Sequence, residues 1–374
     1  KRIVLTVLGI LFVLMVATGI FAVTYVQSNL NAMDAKATEF VTVEIPAGSS
    51  NREIGTILEK KGLIKNGQFF NYYTKFKNYG NFQSGYFNLQ KSMDLDTIIQ
   101  KLQEQGSKTP EPPVLGKITI PEGYTIDQIA EVVSVDASSK SGAKTPYTQE
   151  KFLKVIQDDA FIEKMVAKYP KLLATLPSKE SGVRYRLEGY LFPATYGYGK
   201  DSKMEDLVDQ MLAAMDQNLS AYYDTMEAKN IDVNEALTLA SLIEKEGATD
   251  KDRKDIASVF YNRLNQDMPL QSNIAILYAQ GQLGKKTTLK EDATIDTNID
   301  SPYNIYKNTG LMPGPVDSPG VSAIEAAVNP SKTDYLYFVA NVETGEVYFA
   351  KTYEEHTKNV EEHVNSKLTE SSSN

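Results

Sequence analysis

Two glutamates separated by one lysine, Glu244 and Glu246, follow a segment with apolar residues at six of the eight preceding positions. At about 100° per residue, a helix through this segment places both acids at the edges of its apolar face, while Lys245 points away from it. A carboxyl group pushed toward a protein interior has a raised pKa, as a general acid working near neutral pH requires. The spacing therefore predicts an acid/base residue here. The pattern alone does not choose between the two acids, and a glutamate near a helix end can also be simply solvated.

A second candidate region lies between residues 301 and 315, where the segments SPYNIY and GLMPGP concentrate aromatic, amide, glycine and proline residues. Tyrosine rings can pack on the apolar faces of pyranose sugars, and amide and hydroxyl groups can bind sugar hydroxyls. The region is therefore compatible with a carbohydrate-binding surface. The same residue types could equally build a rigid connection between elements.

Composition excludes several other chemistries. The absence of cysteine excludes disulfides, thiolate metal sites and a cysteine nucleophile. His356 and His363 are seven residues apart and could share one helix face, but further ligands have no obvious source, so a solvated helix is favoured over a metal site. A net charge of −9 and a pI near 5.1 argue against nucleic acid or an anionic membrane surface as the main partner. No metal or cofactor is expected.

The N-terminal segment 3–26 contains no charged residue and is long enough to cross a bilayer core of ~30 Å. We expect residues 1–26 to form a transmembrane helix rather than a cleaved signal peptide, which has a shorter apolar region. Lys1 and Arg2 precede the segment, so the positive-inside rule places them in the cytoplasm and the remainder of the chain outside. Residues 27–39 are polar and are typical of a juxtamembrane spacer or a helical extension of the anchor.

The spacing of apolar residues predicts the strands and helices that could position the candidate residues. Residues 40–45 alternate like a strand, and a turn, a serine cap and a helix come next. The same order recurs around residues 120–129, which gives a weak internal repeat. Residues 106–116 (GSKTPEPPVLG) are rich in proline and glycine and predict a linker.

The C-terminal two thirds of the chain is mainly helical in pattern, and the predicted class is α+β. The patterns predict a surface helix within 147–171, a helix over 204–219, a buried helix over 234–246 ending at Gly247, and a helix capped by Thr249. Residues 335–340 and 347–350 predict a β-hairpin with a turn over 343–346. A polar helix and a disordered, serine-rich tail over 366–374 are expected to follow.

Several of these segments together resemble the endolytic murein transglycosylases of the YceG-like family, and the resemblance extends from about Phe40 to His356. The matching segments occur in the family's order: LEGYLFPATY (187–196), ASLIEKE (240–246), ASVFYNRL (257–264), LQS (270–272), DSPYN (300–304), GL (310–311), PGP (313–315), NP (329–330) and YLYFVA (335–340). Three positions depart from the family's usual residues: Asn273 for Asp, Ile305 for Thr, and Met312 for Pro.

The resemblance implies a LysM-like module over 40–106, a linker over 107–117, and a catalytic domain over 118–365 with its core at 187–356. It selects Glu244 as the catalytic acid/base. It also suggests a set of substrate-binding or supporting residues: Glu188, Glu246, Asn262, Arg263, Gln271, Ser272, Asn273, Tyr303, Asn304 and Tyr306. The implied enzyme is a membrane-anchored bacterial protein with its catalytic domain outside the cell, and its implied partners are peptidoglycan strands and proteins of wall elongation.

The implied reaction cleaves the β-1,4 bond between N-acetylmuramic acid and N-acetylglucosamine and leaves 1,6-anhydro ends. Such an enzyme needs one proton-transferring carboxyl group, because the C6 hydroxyl of the substrate itself attacks. Two alternatives stay open on the sequence: a non-catalytic wall-binding scaffold, and a muramidase-type hydrolase that uses water. A peptidase is disfavoured, because the chain has no cysteine nucleophile, no zinc motif and no convincing Ser/His pair.

Overall fold

A computed structural model describes residues 2–139, 142–285, 295–341 and 344–365. The predicted disordered tail over 366–374 and the first residue of the predicted turn over 343–346 lie outside the described residues. The chain divides into two compact units, Lys1–Pro113 and Val114–Asn374.

The first unit begins with a long apolar helix. Within helix α1 (Arg2–Leu30), the stretch Thr6–Leu30 has a mean hydropathy of 2.6, so its length and composition suffice to cross a membrane. The helix continues four residues beyond the predicted end at residue 26. Side-chain hydrogen bonds support this extension, since the amide of Asn29 donates to the carbonyl of Tyr25 and the amide of Gln27 donates to Oδ1 of Asn31.

A small α/β arrangement follows within the same unit. Its elements are β1 (Phe40–Ile45), α2 (Asn51–Lys60), α3 (Gly67–Phe76), β2 (Gly85–Gln90) and α4 (Leu95–Gln103). The two strands pair antiparallel, with Phe40 opposite Gln90 and Ile45 opposite Gly85. Helix α2 starts at the predicted serine, because Ser50 and Glu53 form a reciprocal capping box. The LysM-like assignment of this segment stays a prediction.

The second unit is mixed α+β, as predicted. Its elements in chain order are β3 (Gly116–Thr119), α5 (Ile126–Val132), α6 (Gln149–Val155), α7 (Asp159–Lys168), β4 (Thr195–Tyr198), α8 (Met204–Leu219), α9 (Tyr223–Ala228), α10 (Val233–Glu246), α11 (Asp250–Leu264), α12 (Asn273–Ala279), α13 (Val321–Val328), β5 (Tyr337–Ala340), β6 (Val347–Ala350) and α14 (Tyr353–Val360). Strand β3 pairs antiparallel with β4, and β5 pairs antiparallel with β6.

The surface helix predicted within 147–171 is wrong as a single helix. The structure has two short helices there, because the carboxylate of Asp158 accepts a hydrogen bond from the N–H of Phe161 and starts α7. The charged and apolar pattern continues across this break, so periodicity alone did not reveal it.

Helix α10 forms the centre of the second unit. Its residues from Ala236 to Ile243 are all buried, and it packs against α11 and α13. The start of α10 is fixed by a capping box between Asp232 and Glu235, and α11 starts at Thr249, as predicted. This frame places the C-terminal end of α10 beside the N-terminal ends of α11 and α13.

Candidate active site

Glu244 lies in the last turn of α10, and its side chain is only 8% exposed. Its Oε2 accepts a hydrogen bond of 2.9 Å from the backbone N–H of Gly320, which precedes α13. Its Oε1 lies 3.3 Å from a guanidinium nitrogen of Arg253 in α11. The carboxyl group is therefore held in one orientation by a side chain of α11 and by the backbone N–H of the residue that precedes α13.

The groups around Glu244 have opposing effects on its pKa. Burial raises its pKa, whereas the N–H of Gly320 and the positive charge of Arg253 lower it. Among weaker influences, the charge of Glu122 raises this pKa and that of Lys245 lowers it. The net direction is upward, so the acid form of Glu244 persists to higher pH than in an ordinary glutamate.

Arg253 is a site residue that the sequence patterns did not identify. It is 16% exposed, and its second terminal nitrogen lies 3.3 Å from the hydroxyl of Ser322. The absent side chain of Gly247 makes room for it, since a β-carbon there would lie 2.6 Å from Cγ of Arg253. The available signal was the cap at Thr249, which places Arg253 in the first turn of α11, directly after α10 ends.

A turn over residues 120–123 packs against the end of α10 and the segment before α13. The N–H of Gly123 donates to the carbonyl of Ser318 at 2.8 Å, and the N–H of Ser318 donates to the carbonyl of Tyr124. Gly123 has a φ of +70°, and a β-carbon there would lie 2.8 Å from Nζ of Lys245. Lys245 is thus half-buried against this turn. The sequence patterns identified the turn only as half of a weak repeat.

Asp317 is a second buried acid near Glu244. Its side chain is fully buried, and neither carboxyl oxygen has a hydrogen-bond partner among the described residues. Burial raises its pKa well above the usual range, although Lys245 opposes this shift. We therefore expect Asp317 to be uncharged at neutral pH, since an unpaired buried carboxylate is strongly disfavoured.

Glu246, the other acid of the pair, faces a different partner. One carboxyl oxygen accepts a hydrogen bond of 2.8 Å from the hydroxyl of Ser272, which also caps α12. Burial raises the pKa of Glu246, and the Ser272 hydrogen bond lowers it. The structure thus places Glu246 and Ser272 together and connects the end of α10 to the start of α12.

Asn262, Arg263 and Gln271 form hydrogen bonds within the protein. The amide nitrogen of Asn262 donates to the carbonyls of Thr333 and Tyr335, both at 2.9 Å. The guanidinium of Arg263 donates to the carbonyls of Leu336, Pro269 and Leu270 and reaches Oε1 of Gln271. Through these hydrogen bonds, α11 holds two segments in place: the one that leads into β5 and the loop that follows α11.

The aromatic and amide residues of the 301–308 loop are also largely internal. Asn304 is almost fully buried, and its amide nitrogen donates to the carbonyls of Thr297 and Ile299 at 3.0 and 2.7 Å. The hydroxyl of Tyr306 donates to Oδ1 of Asn273 at 2.7 Å. Tyr303 is buried, and its ring packs on that of Tyr278 at 4.9 Å.

Glu188 is buried away from solvent with 1% exposure. Its two carboxyl oxygens accept hydrogen bonds from the N–H of Ile126 and the hydroxyl of Tyr278, each at 2.9 Å. Gly189 has a φ of +80° and lies so close to Pro315 that a β-carbon would collide with it. Glu188 therefore joins α5, α12 and the 187–190 turn.

The two histidines each stack on a tyrosine. His356 in α14 packs on Tyr337, and His363 packs on Tyr348 with ring centres 3.6 Å apart. In the part of the chain that the structure describes, no group of three or more histidine, aspartate or glutamate residues is arranged to hold a metal ion.

Comparison with known proteins decides the family. A model described as the YceG-like family matches residues 43–362. The chain belongs to the YceG-like family. An endolytic murein transglycosylase from Streptococcus pneumoniae strain D39 is 58% identical over 355 residues, which cover 95% of this chain and 64% of that protein. An endolytic murein transglycosylase from Bacillus subtilis is 39% identical over 347 residues, which cover 92% of this chain and 91% of that protein.

A crystal structure of a YceG-like protein from Listeria monocytogenes is similar to this chain with a TM-score of 0.58 and 44% identity. The match covers 86% of this chain and 99% of that one. The chain spans about two thirds, 64%, of the length of its streptococcal relatives.

In this YceG-like protein, the ten residues suggested for substrate binding form several groups. Glu246 lies with Ser272, Asn273 with Tyr306, and Arg263 with Gln271. Glu188 lies apart on the contact between α5 and α12. The hydrogen bonds that hold Glu244 come instead from Gly320 and Arg253. The substrate-binding roles stay predictions, and the contacts described here also give each residue a structural role.

Asn304 offers a test of that structural role. Asn304→Ala is expected to lower the free energy of unfolding by about 2–4 kcal/mol, because it removes a buried amide that bonds to the carbonyls of Thr297 and Ile299 and to the N–H of Tyr306. Asn308→Ala in the same loop is the control. Its amide makes one exposed hydrogen bond, to the carbonyl of Ser301, so the expected change is within about 0.5 kcal/mol. Chemical denaturation of the two variants measures the difference. Equal losses of stability would contradict a structural role for Asn304.

Proposed function

We propose that this chain is an endolytic lytic transglycosylase, with Glu244 as the group that donates and accepts the proton. The observation that carries the proposal is the state of this carboxyl group, which is buried, has a raised pKa, and is held by Gly320 and Arg253. The relatives named endolytic murein transglycosylase support peptidoglycan as the substrate. The bond proposed to break is the β-1,4 bond from N-acetylmuramic acid to N-acetylglucosamine.

The reaction proceeds in two proton transfers. Protonated Glu244 donates to the glycosidic oxygen as the bond from that oxygen to the anomeric carbon breaks. The C6 hydroxyl of the same muramic acid then bonds to the anomeric carbon, and its proton returns to the Glu244 carboxylate. No water is consumed, and the product carries a 1,6-anhydro ring. Gly320 and Arg253 stabilise the carboxylate that exists between the two transfers.

The proposed arrangement of the whole protein has α1 as a single membrane anchor with residues 1–2 in the cytoplasm. Its support is the apolar stretch Thr6–Leu30 and the basic residues that precede it. The catalytic domain over 118–365 and the LysM-like module over 40–106 are then extracellular. Proteins of wall elongation are the proposed protein partners.

Product analysis tests the activity. The full chain in detergent is incubated with purified glycan strands, and the new ends are identified by mass spectrometry. Products with 1,6-anhydro ends are the expected result. Products heavier by one water would instead establish a muramidase-type hydrolase, and the absence of new ends would establish a binding scaffold.

Arg253 provides a test through pH. Arg253→Gln removes a positive charge that lowers the pKa of Glu244, so the acid form persists to higher pH. Activity that requires this acid form falls as pH rises through the pKa of Glu244. The falling limb of the pH–rate profile is therefore expected to move to higher pH, and kcat to drop roughly 10-fold or more because the carboxyl group loses its orientation.

Lys251→Gln is the matched control, since it removes the same charge from the same helix at an exposed position paired with Asp255. The control is expected to keep the wild-type pH–rate profile. An unmoved falling limb in Arg253→Gln would show that Arg253 does not set the protonation of Glu244.

A further inference from the structure

The carboxyl group of Glu122 lies beside Cα of Gly320, the residue whose backbone N–H donates to Glu244. The three atoms closest to a β-carbon built on Gly320 all belong to the carboxyl group of Glu122, and Oε2 would lie at 2.8 Å. The N–H of the same Gly320 donates to Glu244. Oε2 of Glu244 lies 2.9 Å from the backbone nitrogen of Gly320, and the carboxyl group of Glu122 lies within 2.8 Å of the position that a β-carbon of this glycine would occupy. Since that nitrogen and that position are both one bond from Cα, the nearest oxygens of the two acids lie within roughly 8 Å of each other.

The two acids differ in their surroundings. Glu244 is buried and bonded, whereas Glu122 is exposed, and no hydrogen bond or ion pair engages its carboxyl group among the described residues. The site therefore combines a buried, oriented carboxyl group with an exposed one beside the same glycine. Two carboxyl groups with different environments can take different roles in glycoside cleavage.

The position of Glu122 is fixed by backbone contacts rather than by its own side chain. The hydrogen bonds of Gly123 and Tyr124 to Ser318 hold the turn against the segment that leads into α13. Gly123 also lies against the end of α10, since a β-carbon there would be 3.5 Å from Cγ of Glu244. Three separate segments thus meet at this point, and Glu122 lies where they meet.

We propose that Glu122 is a second catalytic carboxylate of this site, which faces the anomeric carbon and stabilises the positive charge that develops there as the glycosidic bond breaks. The proposal rests on the proposed function. Glycoside cleavage passes through an oxocarbenium-like transition state, and a fixed negative charge beside it lowers its energy. Glu122 neither gains nor loses a proton in this role and forms no bond to the sugar, so the proton transfers of Glu244 are unchanged.

Glu122 also acts on the protonation of Glu244. The charged and titratable groups around Glu244 are Arg253 from α11, Lys245 from α10, Asp317 from the segment before α13, and Glu122 from the 120–123 turn. The charge of Glu122 raises the pKa of Glu244. Removing that charge therefore lowers this pKa, which is the opposite of the effect expected for Arg253→Gln.

The experiment compares Glu122→Gln with wild type on purified glycan strands, using the full chain in detergent. We expect kcat to fall roughly 10- to 100-fold with KM little changed, because the lost interaction is strongest in the transition state. We also expect the falling limb of the pH–rate profile to move to lower pH and the anhydro product to persist. Glu131→Gln, which neutralises an exposed acid in α5, is expected to behave as wild type.

Gly320→Ala supplies a second, independent variant. Its φ of −80° suits alanine, and its N–H to Glu244 is retained, but the new methyl displaces the carboxyl group of Glu122. We expect kcat to fall as in Glu122→Gln. Thermal unfolding near that of wild type is expected for Glu122→Gln, since its side chain has no partner to lose.

The outcomes separate the two proposals. Wild-type kcat and pH profile in Glu122→Gln, together with an inactive Glu244→Gln, would overturn only the role of Glu122. Activity in Glu244→Gln would overturn the proposed function itself. A third outcome would overturn both proposals: Glu122→Gln is inactive, and the wild-type enzyme releases products heavier by one water. Glu122 would then be the nucleophile or base of a hydrolase.

Discussion

Glu244→Gln is expected to lower the rate of glycan cleavage by roughly 10³-fold or more, because glutamine can neither donate the proton nor take it back. The amide is close in shape to the protonated acid and keeps an oxygen for the N–H of Gly320. The variant is therefore expected to fold as wild type does, so its lower cleavage rate reports the loss of proton transfer. The measurement is the rate of appearance of 1,6-anhydro ends, with circular dichroism to verify the fold.

Glu246→Gln is the natural comparison, because the sequence pattern alone did not choose between the two acids. Glu246 accepts from Ser272, and its replacement preserves an oxygen acceptor at that position. We expect a much smaller loss of rate, within about 10-fold, from a slight rearrangement of the α10–α12 contact. Near wild-type production of anhydro ends by Glu244→Gln, or a larger loss in Glu246→Gln, would overturn the assignment.

The helices that carry Glu244 and Arg253 were predictable because their signals are local. Apolar spacing and the Thr249 cap specify α10 and α11 within a residue or two. The burial of Glu244 also follows from its place beside the apolar face. Its choice over Glu246 came from the family resemblance, because helical spacing treats the two acids alike.

The partners of Glu244 were not predictable from pattern. Gly320 lies 76 residues further along the chain, and its contribution is a backbone N–H, which carries no sequence signal. Glu122 lies far from Glu244 in the opposite direction and was noted only as part of a repeat. Such contacts depend on how the 120–123 turn and the segment before α13 pack on α10, which is a tertiary property.

Residue type also cannot separate a substrate contact from an internal one. Asn304 and Arg263 have the donors that would bind a sugar, yet in the structure those donors bind carbonyls of their own chain. A polar residue in a loop with many glycines and prolines fits either role. The prediction of these residues as substrate-binding therefore needs kinetics of individual variants, with stability measured alongside.

Glu188→Ala is expected to lower the free energy of unfolding by about 3–5 kcal/mol. The change leaves the N–H of Ile126 and the hydroxyl of Tyr278 without acceptors in a buried place, and it also opens a cavity. Chemical denaturation at neutral pH measures this loss. A change below about 1 kcal/mol would show that the contact between α5 and α12 does not depend on Glu188.

Glu188→Gln separates the shape of this side chain from its charge, since the amide can still accept from Ile126 and bond to Tyr278. Burial raises the pKa of Glu188 well above the usual range. The stability contributed by its acid form is therefore complete below the pKa of the unfolded chain and is lost as pH rises through the pKa of the folded protein. Glutamine cannot ionise, so the variant should gain stability relative to wild type as pH increases. Denaturation curves at a series of pH values measure the difference, and a difference independent of pH would show that Glu188 has the same pKa in the folded and unfolded chain.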